Sequence, residues 1–322
     1  MCGIIGYIGE KQAYPILINA LKRLEYRGYD SSGIALFGED MHVYKRKGKV
    51  QDLVNYAKDK NISGTIGIGH TRWATHGKPD DINAHPHISG NGRLSLIHNG
   101  IIENYDVIKK ALIREGHEFK SQTDTEVLVH LIEAIQTRDS LALEEAVRVA
   151  LTKVVGAYAI VVMDKTNPDK LVVARKASPL VIGIGENEFF IASDPTPIIE
   201  HTKKVVFLND EETGVVTRDG NLTIKTIANE IQTPFVQQLE LKIEMMEKGD
   251  YEHFMLKEIH EQPTSIRNCM AGRVNAAEGW IKVGGAESVE DRIFNAKRFI
   301  VAACGTSWHA GLIGEYLSLI HI

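Results

Sequence analysis

Apolar and polar positions recur at two different periods along the chain, and the period changes twice. Ile4 to Ile8 is a short apolar run punctuated by Gly3, Gly6 and Gly9, which predicts a buried strand. From Pro15 to Leu24 the spacing is helical, with Ile16, Leu17, Ala20, Leu21 and Leu24 on one face. A polar, aromatic and Gly-punctuated loop, Glu25 to Gly33, leads into a strand over Ile34 to Phe37. Val43 to Lys49 reads as basic and exposed, and Asp52 to Lys58 as a short helix. Gly64 to His70 reads as a strand whose alternate glycines leave one face bare, so that something packs closely there. Leu94 to His98 is a further strand, ending in the turn pair Asn99-Gly100.

The helical period then takes over. Asn104 to Glu115 and Leu141 to Leu151 have helical patterns, and Thr123-Asp124-Thr125-Glu126 reads as a capping box opening a helix over Val127 to Ile135. From Gly156 the strand pattern returns in seven segments: Tyr158–Met163, Leu171–Arg175, Leu180–Ile184, Glu188–Ala192, Val205–Phe207, Gly214–Thr217 and Leu222–Thr226. Strands, then helices, then strands predict an α+β architecture over residues 2–227.

Residues 228–250 are charged with scattered apolar positions, and read as a linker. Tyr251 to Met270 is helical in pattern, with a kink or break expected at Pro263. Arg298 to Ala303 reads as a parallel-type strand that turns through Cys304-Gly305-Thr306-Ser307 into a helix, Ala310 to Leu317. Such a turn presents hydroxyls and backbone N–H groups at a helix N-terminus, which suits an anion. A single strand–helix unit cannot close a sheet, so residues 251–322 are expected to be the start of a second, α/β domain cut short at its C-terminus. Whether Leu317 to Ile322 is native sequence stays open.

Composition narrows the class. The 322 residues are 43% hydrophobic and 25% charged, with 37 basic and 42 acidic side chains for a net charge of −5. No long basic run appears, so nucleic acid is not an expected partner. The apolar runs, such as Ala157 to Met163, fall short of the ~20 residues a membrane helix needs. Cys2, Cys269 and Cys304 are few and far apart, which argues against a disulfide framework and for a reducing, cytoplasmic compartment.

Candidate chemistry begins at Cys2. Directly after Met1, it either starts a strand as a small apolar residue or, once Met1 is removed, carries a thiol nucleophile and an α-amine base together. Asn99-Gly100 either closes a hairpin or presents an amide and a backbone N–H side by side. His70, His76, His85, His87 and His98 invite a metal reading, but their spacing matches no zinc signature.

Six stretches in order carry a resemblance. They are Met-Cys-Gly-Ile-Ile-Gly at the start, Leu24 to Gly33, His70 to Gly77, Asn83 to His87, His98 to Asn104 and Thr123 to Glu126. Together the chain resembles the class II glutamine amidotransferases, which are N-terminal-nucleophile hydrolases. Lys257 to Pro263 and Cys304 to Ser307 narrow the likeness to members that aminate fructose 6-phosphate and carry a sugar isomerase domain. The resemblance runs from Cys2 to about Gly314.

The family likeness implies a four-layer αββα sandwich, followed by a linker and a truncated α/β isomerase domain. It implies that glutamine is hydrolysed at Cys2 and that ammonia is channelled to fructose 6-phosphate, giving glucosamine 6-phosphate, with no cofactor. It implies an oxyanion hole from Asn99 and Gly100, and a glutamine pocket from Arg72, Thr75, His76 and Asp124. Arg27 would organise the nucleophile's surroundings, and Trp73 would gate the channel. Thr306, Ser307 and His85 would reach the sugar phosphate. Plainer roles stand beside these: helix capping for Asp124, a surface cation for Arg27, a core aromatic for Trp73. The intact protein would dimerise through its isomerase half, and the present chain would release glutamate without completing the sugar product. Two alternatives remain: another class II amidotransferase, against which the motifs at 257–263 and 304–307 speak, and a non-catalytic sugar-phosphate-binding regulator, which would have no need of Cys2.

Overall fold

The computed structural model describes residues 2–239, 251–270, 273–275, 278–281 and 289–321. The chain divides into two compact units, Met1–Glu247 and Lys248–Ile322.

The first unit stacks two antiparallel sheets. One contains β1 (Gly3–Ile8), β2 (Ser31–Phe37), β3 (Met41–Lys47), β4 (Ile66–Arg72), β9 (Val181–Ile184), β10 (Phe189–Ala192), β11 (Lys204–Phe207) and β15 (Gln237–Gln238). Their order is β15-β11-β9-β10-β1-β4-β2-β3. The other contains β5 (His87–Ile88), β6 (Leu94–Ile102), β7 (Gly156–Asp164), β8 (Lys170–Lys176), β12 (Glu212–Thr217), β13 (Leu222–Thr226) and β14 (Ile231–Gln232), in the order β14-β13-β12-β8-β7-β6-β5.

The two-residue period of β1 sends its side chains to two different cores. Ile4 and Ile8 meet Ile97, Val161 and Met163 of the opposite sheet. Ile5 and Tyr7 face outward, into the layer held by α1 (Ala13–Leu24) and α2 (Val50–Ala57). On the far side, α4 (Asp124–Asp139) and α5 (Leu143–Leu151) pack their apolar residues on Leu96, Ile160, Val162 and Val172, with α3 (Tyr105–Arg114) contributing Leu112. The result is helix, sheet, sheet, helix, the αββα sandwich that the family likeness implies. The bare face of β4 is where α1 packs. A Cβ on Gly67 would lie 2.9 Å from Leu17 Cδ1, and one on Gly69 would lie 3.1 Å from Leu21 Cδ1.

Several boundaries differ from the sequence expectations. Val43–Lys47, expected as an exposed basic stretch, lies in edge strand β3, where lysine and arginine discourage further pairing. Strand β6 does not stop at His98: Asn99 and Gly100 continue the ladder opposite Ala159 and Tyr158. The glycine is needed there because the backbones approach closely. Its φ is +133°, and a Cβ would lie 2.0 Å from Ala157 O. The capping box is only half formed. Thr123 Oγ1 accepts the Glu126 N–H at 3.3 Å, but Glu126 turns back to Lys120 N (2.8 Å) and Ser121 N (2.6 Å). Strand pairing runs past residue 227, since β14 and β15 fall inside the expected linker and join β13 and β11. The rest of that linker, 240–250, lies outside the described residues.

The second unit holds α6 (Phe254–Met270), α7 (Glu290–Phe294), α8 (Thr306–His321) and the pair β16 (Val274–Asn275) and β17 (Trp280–Ile281). Helix α6 passes through Pro263 without the expected break. Pro263 removes one N–H bond, and helix-favouring Leu, Lys, Glu, Gln and Arg flank it. The strand expected at Arg298–Ala303 is not formed. No described strand pairs with it, and a strand without a neighbour has no ladder to hold it. Its apolar residues Phe299, Ile300 and Val301 are exposed. Helix α8 starts at Thr306, four residues before the expected Ala310, and so takes Thr306 and Ser307 into its first turn.

Candidate active site

Cys2 sits just ahead of β1, at the rim of a cavity of about 440 Å³. Gly3 lets it approach: a Cβ there would meet Thr71 Oγ1 at 2.6 Å and Leu24 Cβ at 2.7 Å. The Trp73 N–H donates to Cys2 Sγ at 3.1 Å, and Trp73 O lies 3.6 Å from the same sulfur. Burial pushes the Cys2 thiol up, and the Trp73 N–H opposes that by favouring the thiolate.

Asn99 comes from the other sheet. Its Nδ2 donates to Cys2 O at 2.8 Å, and its Oδ1 faces His70 Nε2 at 2.9 Å. An amide nitrogen carries two hydrogens, so one remains for a ligand in the cavity beside Gly100. His70 is fully buried, and burial lowers its pKa to about 3, so its ring is neutral.

Arg72, at the end of β4, binds its own loop. Its Nη2 donates to His76 O and to Gly77 O (3.1 Å), and its Nη1 to Lys78 O (3.4 Å). The loop after β4 is anchored from the other side by Asp30, whose Oδ2 accepts the Ala74 N–H and whose Oδ1 accepts the Ser31 hydroxyl at 2.8 Å. Asp124 opens α4 but does not cap it; Thr123 does. One Asp124 oxygen accepts the Ile102 N–H at 2.8 Å, which ties the helix start to the end of β6.

Thr75 and His76 line the cavity, and the His76 ring meets Tyr105 edge-on at 5.4 Å. Arg27 is not a surface cation. Its side chain is nearly buried, and Nη1 donates to Asp194 Oδ2 at 3.0 Å. Nor is Trp73 a core aromatic: it is half exposed, edge-on to Tyr29 at 5.4 Å.

The structure thus brings Cys2, Arg27, Arg72, Trp73, Thr75, His76, Asn99, Gly100 and Asp124 around one cavity. His85 lines it too, but from inside the protein. Its Nδ1 faces His70 Nδ1 and its Nε2 faces Thr125 Oγ1, both at 3.0 Å. Both ring nitrogens face groups of the protein, and the ring is buried. Thr306 and Ser307 are exposed in the first turn of α8, in the other unit.

The remaining histidines explain one another. His98 Nδ1 faces Thr125 Oγ1 and His87 Nε2 faces Thr123 Oγ1, each at 3.0 Å, and burial lowers the pKa of His85, His87 and His98. A different trio, His117, His130 and Glu133, brings its donor atoms within 4.8 Å of one another. There the two Nδ1 atoms share a hydrogen bond at 3.0 Å, while Glu133 accepts the N–H groups of Gly90 and Asn91. Asp30, Thr125 and the partnership of His70 with Asn99 were not legible as site features. The one available signal was their place inside motif-bearing stretches.

Residues 70–200 match the model of a glutamine amidotransferase domain. The glutamine phosphoribosylpyrophosphate amidotransferase of B. subtilis superposes with a TM-score of 0.62 at 27% identity, over 71% of this chain and 50% of that one. In its αββα sandwich and its Cys2 cavity the chain resembles the glutamine amidotransferases. It is also similar to the glutamine–fructose-6-phosphate aminotransferases (isomerizing). That of Bacteroides thetaiotaomicron is 56% identical over 98% of this chain and 52% of its own length, and that of Chlorobaculum tepidum is 57% identical over the same shares. The chain spans about half the length of the curated relatives it matches. Among the described residues no helix is long and apolar enough to cross a membrane.

Proposed function

We propose that the chain hydrolyses L-glutamine at Cys2 and that the whole protein delivers the ammonia to fructose 6-phosphate, forming glucosamine 6-phosphate in the cytoplasm. After Met1 is removed, the α-amine of Cys2 takes the thiol proton, and sulfur attacks the side-chain amide carbon. The C–S bond forms, the C–N bond breaks, and ammonia leaves carrying the proton. Water then cleaves the thioester to glutamate and restores the thiol. The Asn99 amide and Gly100 N–H hold the oxyanion of both tetrahedral intermediates.

Arg72 has three of its five guanidinium hydrogens on loop carbonyls, which leaves two for the α-carboxylate of glutamine. The second oxygen of Asp124 faces the α-ammonium. Thr75 and His76 complete the pocket, and Arg27 fixes the wall behind Cys2 through Asp194. Trp73, half exposed beside the Cys2 sulfur, gates the exit of ammonia. Thr306 and Ser307 hold the sugar phosphate, residues 251–322 begin the isomerase domain, and the whole protein is a homodimer through that domain.

The observation that carries this reading is the Cys2 cavity itself. A nucleophile, an amide bonded to that nucleophile's own carbonyl, a guanidinium and a carboxylate converge there from two sheets and a helix start. The test is mass spectrometry of the protein treated with a glutamine-analogue electrophile. Met1 should be absent and a single label should sit on Cys2, with glutamate release lost in Cys2→Ala. A label on Cys269 or Cys304 would refute the assignment.

A further inference from the structure

Of the buried histidines, His85 and His98 line the cavity and His70 bonds Asn99 behind it, and no step of the proposed glutaminase reaction uses them. The hydrogen-bond direction at His70 can be solved from one fixed point. Cys2 O can only accept, so the Asn99 amide must turn Nδ2 toward it and Oδ1 toward His70. Oδ1 also only accepts, so His70 Nε2 carries the hydrogen. The second neighbour of that nitrogen, His98 O at 3.1 Å, is an acceptor too, and agrees. His85 Nδ1 lies 3.0 Å from His70 Nδ1 and 3.2 Å from His70 Nε2, which places it over the face of the His70 ring, the two rings meeting edge-on at 4.1 Å. His85 Nε2 lies 3.0 Å from Thr125 Oγ1. His98 Nε2 faces Ala157 O, an acceptor, at 3.4 Å and so carries the hydrogen, and His98 Nδ1 receives the Thr125 hydroxyl at 3.0 Å.

We propose that His70, held in its Nε2–H tautomer by the acceptors Asn99 Oδ1 and His98 O, is a positioning residue that fixes and polarises the Asn99 amide for oxyanion binding. The proposal deepens the glutaminase reading and rests on it. Amide oxygen and nitrogen are nearly the same size, so Asn99 could flip at small steric cost. A flip would aim oxygen at Cys2 O and remove the oxyanion donor. The His70 N–H prevents it, because a flipped amide would set two N–H groups against each other. Aligned hydrogen bonds also polarise one another, which makes the remaining Asn99 hydrogen a stronger donor. Burial keeps His70 neutral, so the tautomer, and not a charge, transmits the effect.

The test is steady-state glutamine hydrolysis by the full 322-residue chain. In His70→Phe, which keeps the ring and removes the donor, kcat should fall about 10- to 100-fold while KM for glutamine moves less than about twofold. His70→Gln, whose amide can donate from the same reach, should recover most of the loss. In an Asn99→Ala background the His70→Phe effect should shrink below about twofold, because His70 acts through Asn99. An undiminished loss in that background, or a rise in KM with kcat intact, would overturn the proposal. Imidazole nitrogen correlation spectra of the unsubstituted protein test it without any variant. They should report Nε2–H on His70, and Nδ1–H there would overturn it. Cys2→Ala separates the two levels: if glutamate release survives there, the glutaminase reading fails, while the tautomer reports on His70 alone.

Discussion

Burial of neutral histidines between the sheets and α4 makes the first unit sensitive to mild acid in a calculable way. An unfolded histidine titrates near pH 6.5, whereas His70 is held by burial to about 3. Above pH 6.5 the ring is neutral in both states and contributes no pH dependence. Below it the unfolded chain takes up a proton that the folded chain refuses, so stability falls with pH until the folded value is reached. At pH 5.0, some 1.5 units below the unfolded value, His70 costs about 2 kcal/mol. His85 and His87, lowered by burial and by neighbouring positive charge, act with the same sign and at most the same size, so the three set an upper bound of about 6 kcal/mol. His98 is left out of the sum because Asp124 favours its charged form. A domain's whole stability is about 5–15 kcal/mol, so the effect is large.

The assay is urea unfolding at pH 7.5 and pH 5.0, read by hydrogen exchange in peptides covering β1, β6 and β7, which isolates the first unit. Carboxylates titrate mostly below this window. The expected loss is at least about 2 kcal/mol, and the difference between the unsubstituted protein and His70→Gln should narrow by about the same amount at pH 5.0. A loss below about 1 kcal/mol would refute the claim that these rings are neutral and sealed.

Two further outcomes test the framework around the site. Gly100→Ala places a Cβ 2.0 Å from Ala157 O at φ +133° and should destabilise by about 3 kcal/mol or prevent folding; a melting temperature within 2–3 °C of the parent, roughly the shift from 1 kcal/mol, would show that the strands can separate. Asp164 is buried and bound by Arg93 through Nε (2.9 Å) and Nη2 (2.7 Å), so Asp164→Asn should cost about 2 kcal/mol by urea unfolding, and a change under about 0.5 kcal/mol would contradict the pairing.

Much of the sandwich could be read from side-chain period alone. The alternation in β1 and the helical face of α1 are local properties, and both elements form where the pattern puts them. What failed were places where a local signal competes with a distant partner. Asn99-Gly100 has turn chemistry, but β7 runs alongside and keeps it in the ladder. Arg298–Ala303 has strand chemistry, but no described strand lies beside it. The cavity residues followed from family resemblance; their spacing in the sequence does not reveal that Cys2 and Asn99 meet across 97 positions. Least legible was the state of the histidines. A sequence shows five imidazoles and invites a metal, while only coordinates show that four of them satisfy each other through Thr123, Thr125 and Asn99.

The geometry of the proposed glutaminase reaction therefore depends on how the two sheets stack. Cys2 enters on one sheet and Asn99-Gly100 on the other, so their separation is set by the apolar layer between them. Ile4, Ile97 and Val161 belong to that layer and sit beside the catalytic strands. Apolar packing excludes water but resists small shear weakly, since dispersion contacts have no strong direction. Hydrogen bonds do. The Asn99 bond to Cys2 O and the His70 bond to Asn99 Oδ1 both cross from β6 to the facing sheet, on opposite sides of a single amide. They pin that amide in two directions at the point where the oxyanion would form. This explains why polar residues are spent in the interior of a sandwich that apolar ones could fill: the core holds the sheets together, and the His70–Asn99–Cys2 line fixes their register.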